Sequence, residues 1–235
     1  MIERVLITGG GKGIGRGIAT TLAQSGIQVG LIGRTQSALD EVKQIIESAG
    51  GKAIIATADL RQAESAQAAV DQIAESLGGL DGLINNAGQV IRKSIVDISM
   101  DEWHAMIETN INGVFYTTKA CLPYLQKAGR AHIINVSSIS GYMPLPGGSG
   151  YAASKYAVTG FSESIFQELR DLNIKVTTVF PGSVDSDSHR HEASADHSWK
   201  VKPEEVGEAC LNILRTAPTC LISKVEVRPL NRPPK

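Results

Sequence analysis

The stretch "VLITGGGKGIGRG", residues 5–17, decides the fold. Its first four residues are apolar and mostly β-branched, and they read as a strand; the glycine cluster that follows opens onto a helical pattern. Glycines at such a junction let the backbone turn tightly and come close to a pyrophosphate, whose charge is favoured at the N-terminus of the next helix. The spacing is not G-x-G-x-x-G: Thr8-Gly9 is followed by three residues, Gly13, one residue and Gly15. A glycine turn alone also serves purely structural ends. Placed after a first strand, it makes Gly9, Gly11, Lys12, Gly13, Ile14 and Gly15 expected contacts for a dinucleotide.

Outward from this junction the same alternation repeats. Apolar, β-branched runs stand at residues 29–32, 53–57, 83–85, 132–136, 175–180 and 224–227, separated by amphipathic stretches. In one of these, Leu39, Val42, Ile45 and Ile46 fall on a single helical face. Strand and helix in alternation predict an α/β Rossmann fold: a doubly wound, seven-stranded parallel sheet with about six helices on its two faces. The elements use up residues 1–235, so one domain is expected. The exception is residues 183–200, "SVDSDSHRHEASADHSWK", which are polar and without period. A long irregular connection inside a domain predicts a substrate-binding loop.

Composition narrows the function classes. Of the 235 residues 42% are hydrophobic and 20% charged, as in soluble globular proteins, and 23 basic against 24 acidic residues leave a net charge of −1. That balance gives no footprint for nucleic acid or an anionic membrane. Cys121, Cys210 and Cys220 show no paired spacing and read as reduced thiols. With no signal-peptide pattern and no apolar run long enough to span a bilayer, a cytoplasmic protein is expected.

The second strand ends "LIGRT", residues 31–35. Where an NAD-binding fold places an acidic residue for the ribose 2′-hydroxyl, this chain has Gly33, Arg34 and Thr35, with Lys12 in the first loop. A carboxylate repels a 2′-phosphate, whereas a guanidinium grips it with two hydrogen bonds. NADP is therefore expected over NAD, although both cations are also compatible with a solvated surface.

Chemistry is carried by "SSISGYMPLPGGSGYAASK", residues 137–155. Ser138 falls just past the fifth strand, at the end of the sheet where α/β proteins bind ligands. Tyr151 and Lys155 are four residues apart and share one face of a helix. A lysine so placed stabilises a tyrosinate and makes the phenol a usable acid or base near neutral pH.

In these motifs the chain resembles the classical short-chain dehydrogenase/reductase family over essentially its whole length. The ordered set is the Thr8 to Gly15 loop, Asp59-Leu60, "NNAG" at residues 85–88, Asn110, Ser138, "YAASK" at residues 151–155, and Pro181-Gly182. The resemblance implies that Asp59 and Leu60 border the adenine and that Asn86, Ala87 and Gly88 line the cofactor. It implies that Tyr151 donates a proton to the substrate carbonyl oxygen and that Ser138 hydrogen-bonds the same oxygen. Lys155 then binds the nicotinamide ribose and lowers the tyrosine's pKa, and Asn110 holds a water in a proton relay. Tyr151 and Lys155 thus also count among the cofactor contacts, with Pro181, Gly182, Val184 and Ser186 completing them. No metal is implied, since the hydride passes directly between nicotinamide and carbon. Two positions depart from the family's habit: Gly11 stands where many NADP members have a serine, and Ser186 replaces a frequent threonine.

The implied reaction is interconversion of a carbonyl and a secondary alcohol. The C-terminal segment, with Arg228-Pro229, resembles the NADP-dependent 3-hydroxy acid (serine-type) dehydrogenase branch, which implies small 3-oxo or 3-hydroxy acids or related ketones and aldehydes as substrates. Arg190, beside His189, His191 and His197, is a possible partner for a substrate carboxylate. Two alternatives stay open. One is an acyl-thioester reductase, such as a 3-oxoacyl-carrier-protein reductase, docking its carrier on Lys127 and Arg130. The other is an NADP-binding regulator without turnover. The family also implies oligomers, a homotetramer first and a homodimer second, through helices starting near Met100 and Gly150.

Overall fold

The computed structural model describes residues 2–144, 146–186 and 196–231. Seven strands form one parallel sheet: β1 (Arg4–Thr8), β2 (Gln28–Gly33), β3 (Ala53–Thr57), β4 (Gly82–Asn85), β5 (Ala131–Val136), β6 (Ile174–Pro181) and β7 (Lys224–Val227). Their spatial order is β3-β2-β1-β4-β5-β6-β7, with every pairing parallel. The expected doubly wound sheet is thus present, with each run of the sequence in its own strand.

Period-two alternation distributes the core. In β1, Val5 and Ile7 face one apolar layer, built with α1 (Gly13–Gln24), α2 (Gln36–Ser48) and α7 (Pro203–Leu214). Leu6 between them faces the other, built with α3 (Ala63–Leu77), α5 (Gly113–Lys127) and α6 (Ser149–Leu169). Val5, Leu6 and Ile7 are all wholly buried, as a strand covered on both faces must be. Between α1 and α7 the approach is close: a Cβ on Gly17 would lie 2.4 Å from the carbonyl carbon of Pro203.

The helices number seven among the described residues, against an expected six or so. Residues 100–127 contribute two of them and do not run as one helix. Ser99 caps α4 (Met100–Ile107) reciprocally with Glu102. A single π turn, Glu108–Asn112, then separates α4 from α5. Such a turn carries one residue more than a regular helical turn and is a frequent mark of functional sites. Here it carries Asn110. No helix among the described residues is long and apolar enough to cross a membrane.

In this order the connections leaving β1 and β4 run to opposite sides, which opens a crevice beyond the C-terminal ends of the central strands. Every element expected to carry chemistry ends at that crevice.

Candidate active site

The first turn is shaped by two glycines. The N–H groups of Gly9 and Gly10 both donate to the carbonyl of Ile32, at 2.7 and 3.2 Å, which bends the chain over the end of β2. Gly9 adopts φ +67°, a left-handed conformation that costs a side-chain-bearing residue about 1 kcal/mol or more. A Cβ on Gly15 would lie 2.1 Å from the carbonyl oxygen of Gly9, so only glycine lets α1 start this close to the turn. Gly15 therefore packs the helix and does not line the cleft. Thr8 joins this turn to the one after β4: its hydroxyl accepts from the N–H groups of Asn86 and Ala87, each at 3.0 Å.

Beside the ends of β2 and β3, a recess of about 140 Å³ is lined by Gly11, Lys12, Arg34, Thr35, Asp59 and Leu60, the residues for which the sequence suggests cofactor contacts, and also by Arg61 and Thr109. Arg61 grips the Asp59 carboxylate through Nε and Nη2, the latter at 2.5 Å. That hydrogen bond, assisted by the charge of Arg34, holds the Asp59 carboxyl below the usual carboxylate range against the opposing effect of burial. The Thr109 hydroxyl is buried and lacks a hydrogen-bond partner among the described residues. A buried, unpaired hydroxyl is costly unless a ligand satisfies it, so the recess fits an adenosine moiety with polar edges. Neither Arg61 nor Thr109 stood out in the sequence; the register of Arg61, two residues after Asp59, is the only hint there was.

At the other end, a cleft of about 360 Å³ brings Ser138, Tyr151 and Lys155 together with Asn86, Gly88, Pro181 and Gly182. Ser138 opens a short helical turn beyond β5, its hydroxyl accepting from the N–H of Ser140 at 3.1 Å. The Ser138 hydroxyl and the Tyr151 phenol line this cleft together. Burial pushes the phenol's pKa up, against the lowering effects of the nearby Ser138 hydroxyl and of the positive charge of Arg92. Lys155, one turn along α6, donates to the carbonyl of Val136 at 2.9 Å and stands 5.9 Å from the centroid of the Tyr151 ring. Burial brings its ammonium down to about 8.

Asn110 is fully buried behind this cleft and does not line it. Its amide donates to the Gln89 carbonyl at 3.0 Å and to the Ser154 hydroxyl at 2.9 Å, while its oxygen accepts from the Gln89 N–H at 2.7 Å. The π turn thereby fixes the segment after β4 against α6.

Gly13, Ile14, Val184 and Ser186 lie on the third wall, as expected. The two ends of the connection after β6 meet: Val184 pairs with Val201, and Asp185 bonds Lys202 at 2.7 Å and faces His197 at 3.4 Å. His189, Arg190 and His191 lie outside the described residues. Among those described, no group of three His, Cys, Asp or Glu side chains is placed to hold a metal. Gln89, Val90 and Arg92 also line the cleft, although nothing in their sequence neighbourhood singled them out.

Comparison with known proteins agrees with this geometry. The sequence model described as short chain dehydrogenase matches residues 3–197. An uncharacterized oxidoreductase of Staphylococcus aureus strain MRSA252 is 34% identical over 225 residues, which is 96% of either chain. One from Staphylococcus saprophyticus is 34% identical over 231 residues, with the same coverage. Among solved structures, an alcohol dehydrogenase from the archaeon Thermococcus sibiricus, complexed with 5-hydroxy-NADP, superposes with a TM-score of 0.91 at 25% identity, covering all of both chains. An actinorhodin polyketide ketoreductase with NADPH gives 0.89 at 28% identity, covering 97% of this chain and 96% of that one.

Proposed function

The chain belongs to the short chain dehydrogenase family and is an oxidoreductase, and we propose that it interconverts a carbonyl and a secondary alcohol with NADP(H) as its cofactor. One observation carries this reading: Ser138, Tyr151 and the buried Lys155, held by the Val136 carbonyl, line one cleft together with the glycine turn after β1.

The bound dinucleotide supplies or accepts the hydride. The chain's own residues manage the oxygen. During reduction the Tyr151 phenol gives its proton to the carbonyl oxygen as negative charge develops there, and Ser138 hydrogen-bonds the same atom. Lys155 stabilises the tyrosinate that remains and binds the nicotinamide ribose. Asn110 acts through position, since its side chain is spent on Gln89 and Ser154. The family resemblance gives Asn110 the water that joins Lys155 to a proton relay.

NADP is favoured over NAD by the charges around the adenosine recess. Lys12, Arg34 and Arg61 line it, and its one carboxylate among the described residues, Asp59, is clamped by Arg61. A 2′-phosphate meets these cations there.

For substrates we propose small 3-oxo and 3-hydroxy acids or related ketones and aldehydes, with residues 183–200 as the substrate loop. The resemblance of the C-terminal segment supports this. Likeness to a polyketide ketoreductase supports the acyl-thioester alternative. A carrier dock on Lys127 and Arg130 does not: they flank the start of β5, the end of the sheet opposite the cleft, where Arg130 donates to the Thr216 carbonyl at 3.0 Å.

The test is NADP-dependent oxidation of a panel of 3-hydroxy acids, with Tyr151→Phe as the blank. Turnover lost in the blank supports the proposal. Silence on acids with turnover of acyl thioesters favours the alternative, and NADP binding without turnover of any carbonyl leaves a regulatory protein. We propose further a homotetramer or homodimer in the cytoplasm. The half-exposed Phe115, stacked edgewise on Tyr116 and Phe161, supports association, and three unpaired cysteines fit the compartment. A stable monomer by light scattering overturns the oligomer.

A further inference from the structure

Four cations line the catalytic cleft, Lys12, Arg34, Arg92 and Lys155, and no carboxylate does among the described residues. Three of the four have work at the cofactor. Lys12 and Arg34 line the adenosine recess as well, and Lys155 is held by the carbonyl of Val136 beneath Tyr151. Arg92 lines only the catalytic cleft, across from Ser138 and Tyr151, on the segment that Asn110 braces after β4. Its neighbour Lys93 faces elsewhere, paired with Glu102 at 2.6 Å.

Resting on the oxidoreductase reading above, we propose that Arg92 is the residue that selects the substrate, by holding an anionic group, a carboxylate in the first instance, carried by the molecule whose carbonyl oxygen meets Tyr151. A guanidinium matches a carboxylate with two parallel hydrogen bonds. The other walls of the cleft near Ser138 offer small and apolar residues, Val90, Gly182 and Val184, that suit a short carbon chain between the two polar ends. The chemistry points to short oxo acids and their hydroxy counterparts, and against neutral ketones of the same size. Arg92 also acts on Tyr151 directly: its positive charge is within reach of the phenol and favours the tyrosinate. The side chain is exposed at the mouth of the cleft, so solvent weakens its grip compared with a buried arginine.

The experiment compares 3-oxobutanoate with its methyl ester on the NADPH-saturated enzyme and on Arg92→Gln and Arg92→Lys. A hydrogen-bonded charge pair at this site corresponds to about a 10- to 100-fold change in affinity. The expected result is a rise of that size in KM for the acid in R92Q, a change within about threefold for the ester, and partial recovery of the acid preference in R92K. Binding of the acid to the Tyr151→Phe protein with NADPH, by calorimetry, should show the same dependence on Arg92. Equal loss for acid and ester in R92Q, or no preference for the acid in the parent enzyme despite turnover of the ester, overturns the role of Arg92 and leaves the reductase standing. Arg92-dependent binding of the acid with no turnover of any carbonyl does the reverse. Failure of the acid to bind overturns the proposal outright.

Discussion

The Lys155 ammonium donates to the main-chain carbonyl of Val136 at 2.9 Å, which joins the second turn of α6 to the last residue of β5. The same burial that makes this bond specific penalises the charge. The ammonium's pKa falls from 10.5 to about 8.

That depression has a definite sign. Below pH 8 folded and unfolded chains both carry the proton and the penalty is complete; between about 8 and 10.5 the unfolded state holds more protons, so stability rises with pH. Lys155→Met should therefore stabilise the cofactor-free protein at pH 7 by about 1–3 kcal/mol while abolishing turnover. The gain should shrink toward pH 10. Urea unfolding at the two pH values checks it, and an equal gain or a loss at both would show that the buried charge is not penalised.

Tyr151→Phe should lower kcat by about 10³-fold or more, because a proton donor in the transition state is removed. NADPH affinity, read from cofactor fluorescence, should change by less than about twofold. A rate within tenfold of the parent would mean that another group is the acid.

Arg34→Asp places a carboxylate beside the recess that Lys12, Arg34 and Arg61 line. Loss of a charged hydrogen bond and gain of repulsion should weaken NADPH by about 100-fold, with NADH affected far less. Measured dissociation constants for both cofactors decide it. An unchanged ratio would place the phosphate contact elsewhere.

Thr109→Val replaces a buried hydroxyl that has no partner among the described residues by an apolar group of similar shape. Stability of the cofactor-free protein should hold or rise by about 1 kcal/mol, since an unpaired group is removed. NADP(H) affinity should fall several-fold. If affinity is unchanged while stability rises, the hydroxyl does not meet the cofactor.

Much of the site was legible because its signals are local. The glycine loop, the place of Ser138 at a strand end and the four-residue step from Tyr151 to Lys155 each need only one element and its period to be read. Asn110 was legible as a motif and not as a geometry. Its three hydrogen bonds reach Gln89 and Ser154, and the π turn that aims them leaves no mark in hydrophobic periodicity.

The sequence by itself determined the alternation of strands and helices, the parallel sheet and the choice of Ser138, Tyr151 and Lys155 as the trio proposed to react, since burial on both faces and helical spacing are written in neighbouring residues. Only the tertiary structure decided which charges face that trio and the adenosine recess. Arg61 clamps Asp59, Thr109 lies unpaired in the recess, and Arg92 bears on Tyr151 across the cleft. Electrostatic and hydrogen-bonding partners are set by distance in space, and distances between separate elements exist only once the sheet has brought their ends together.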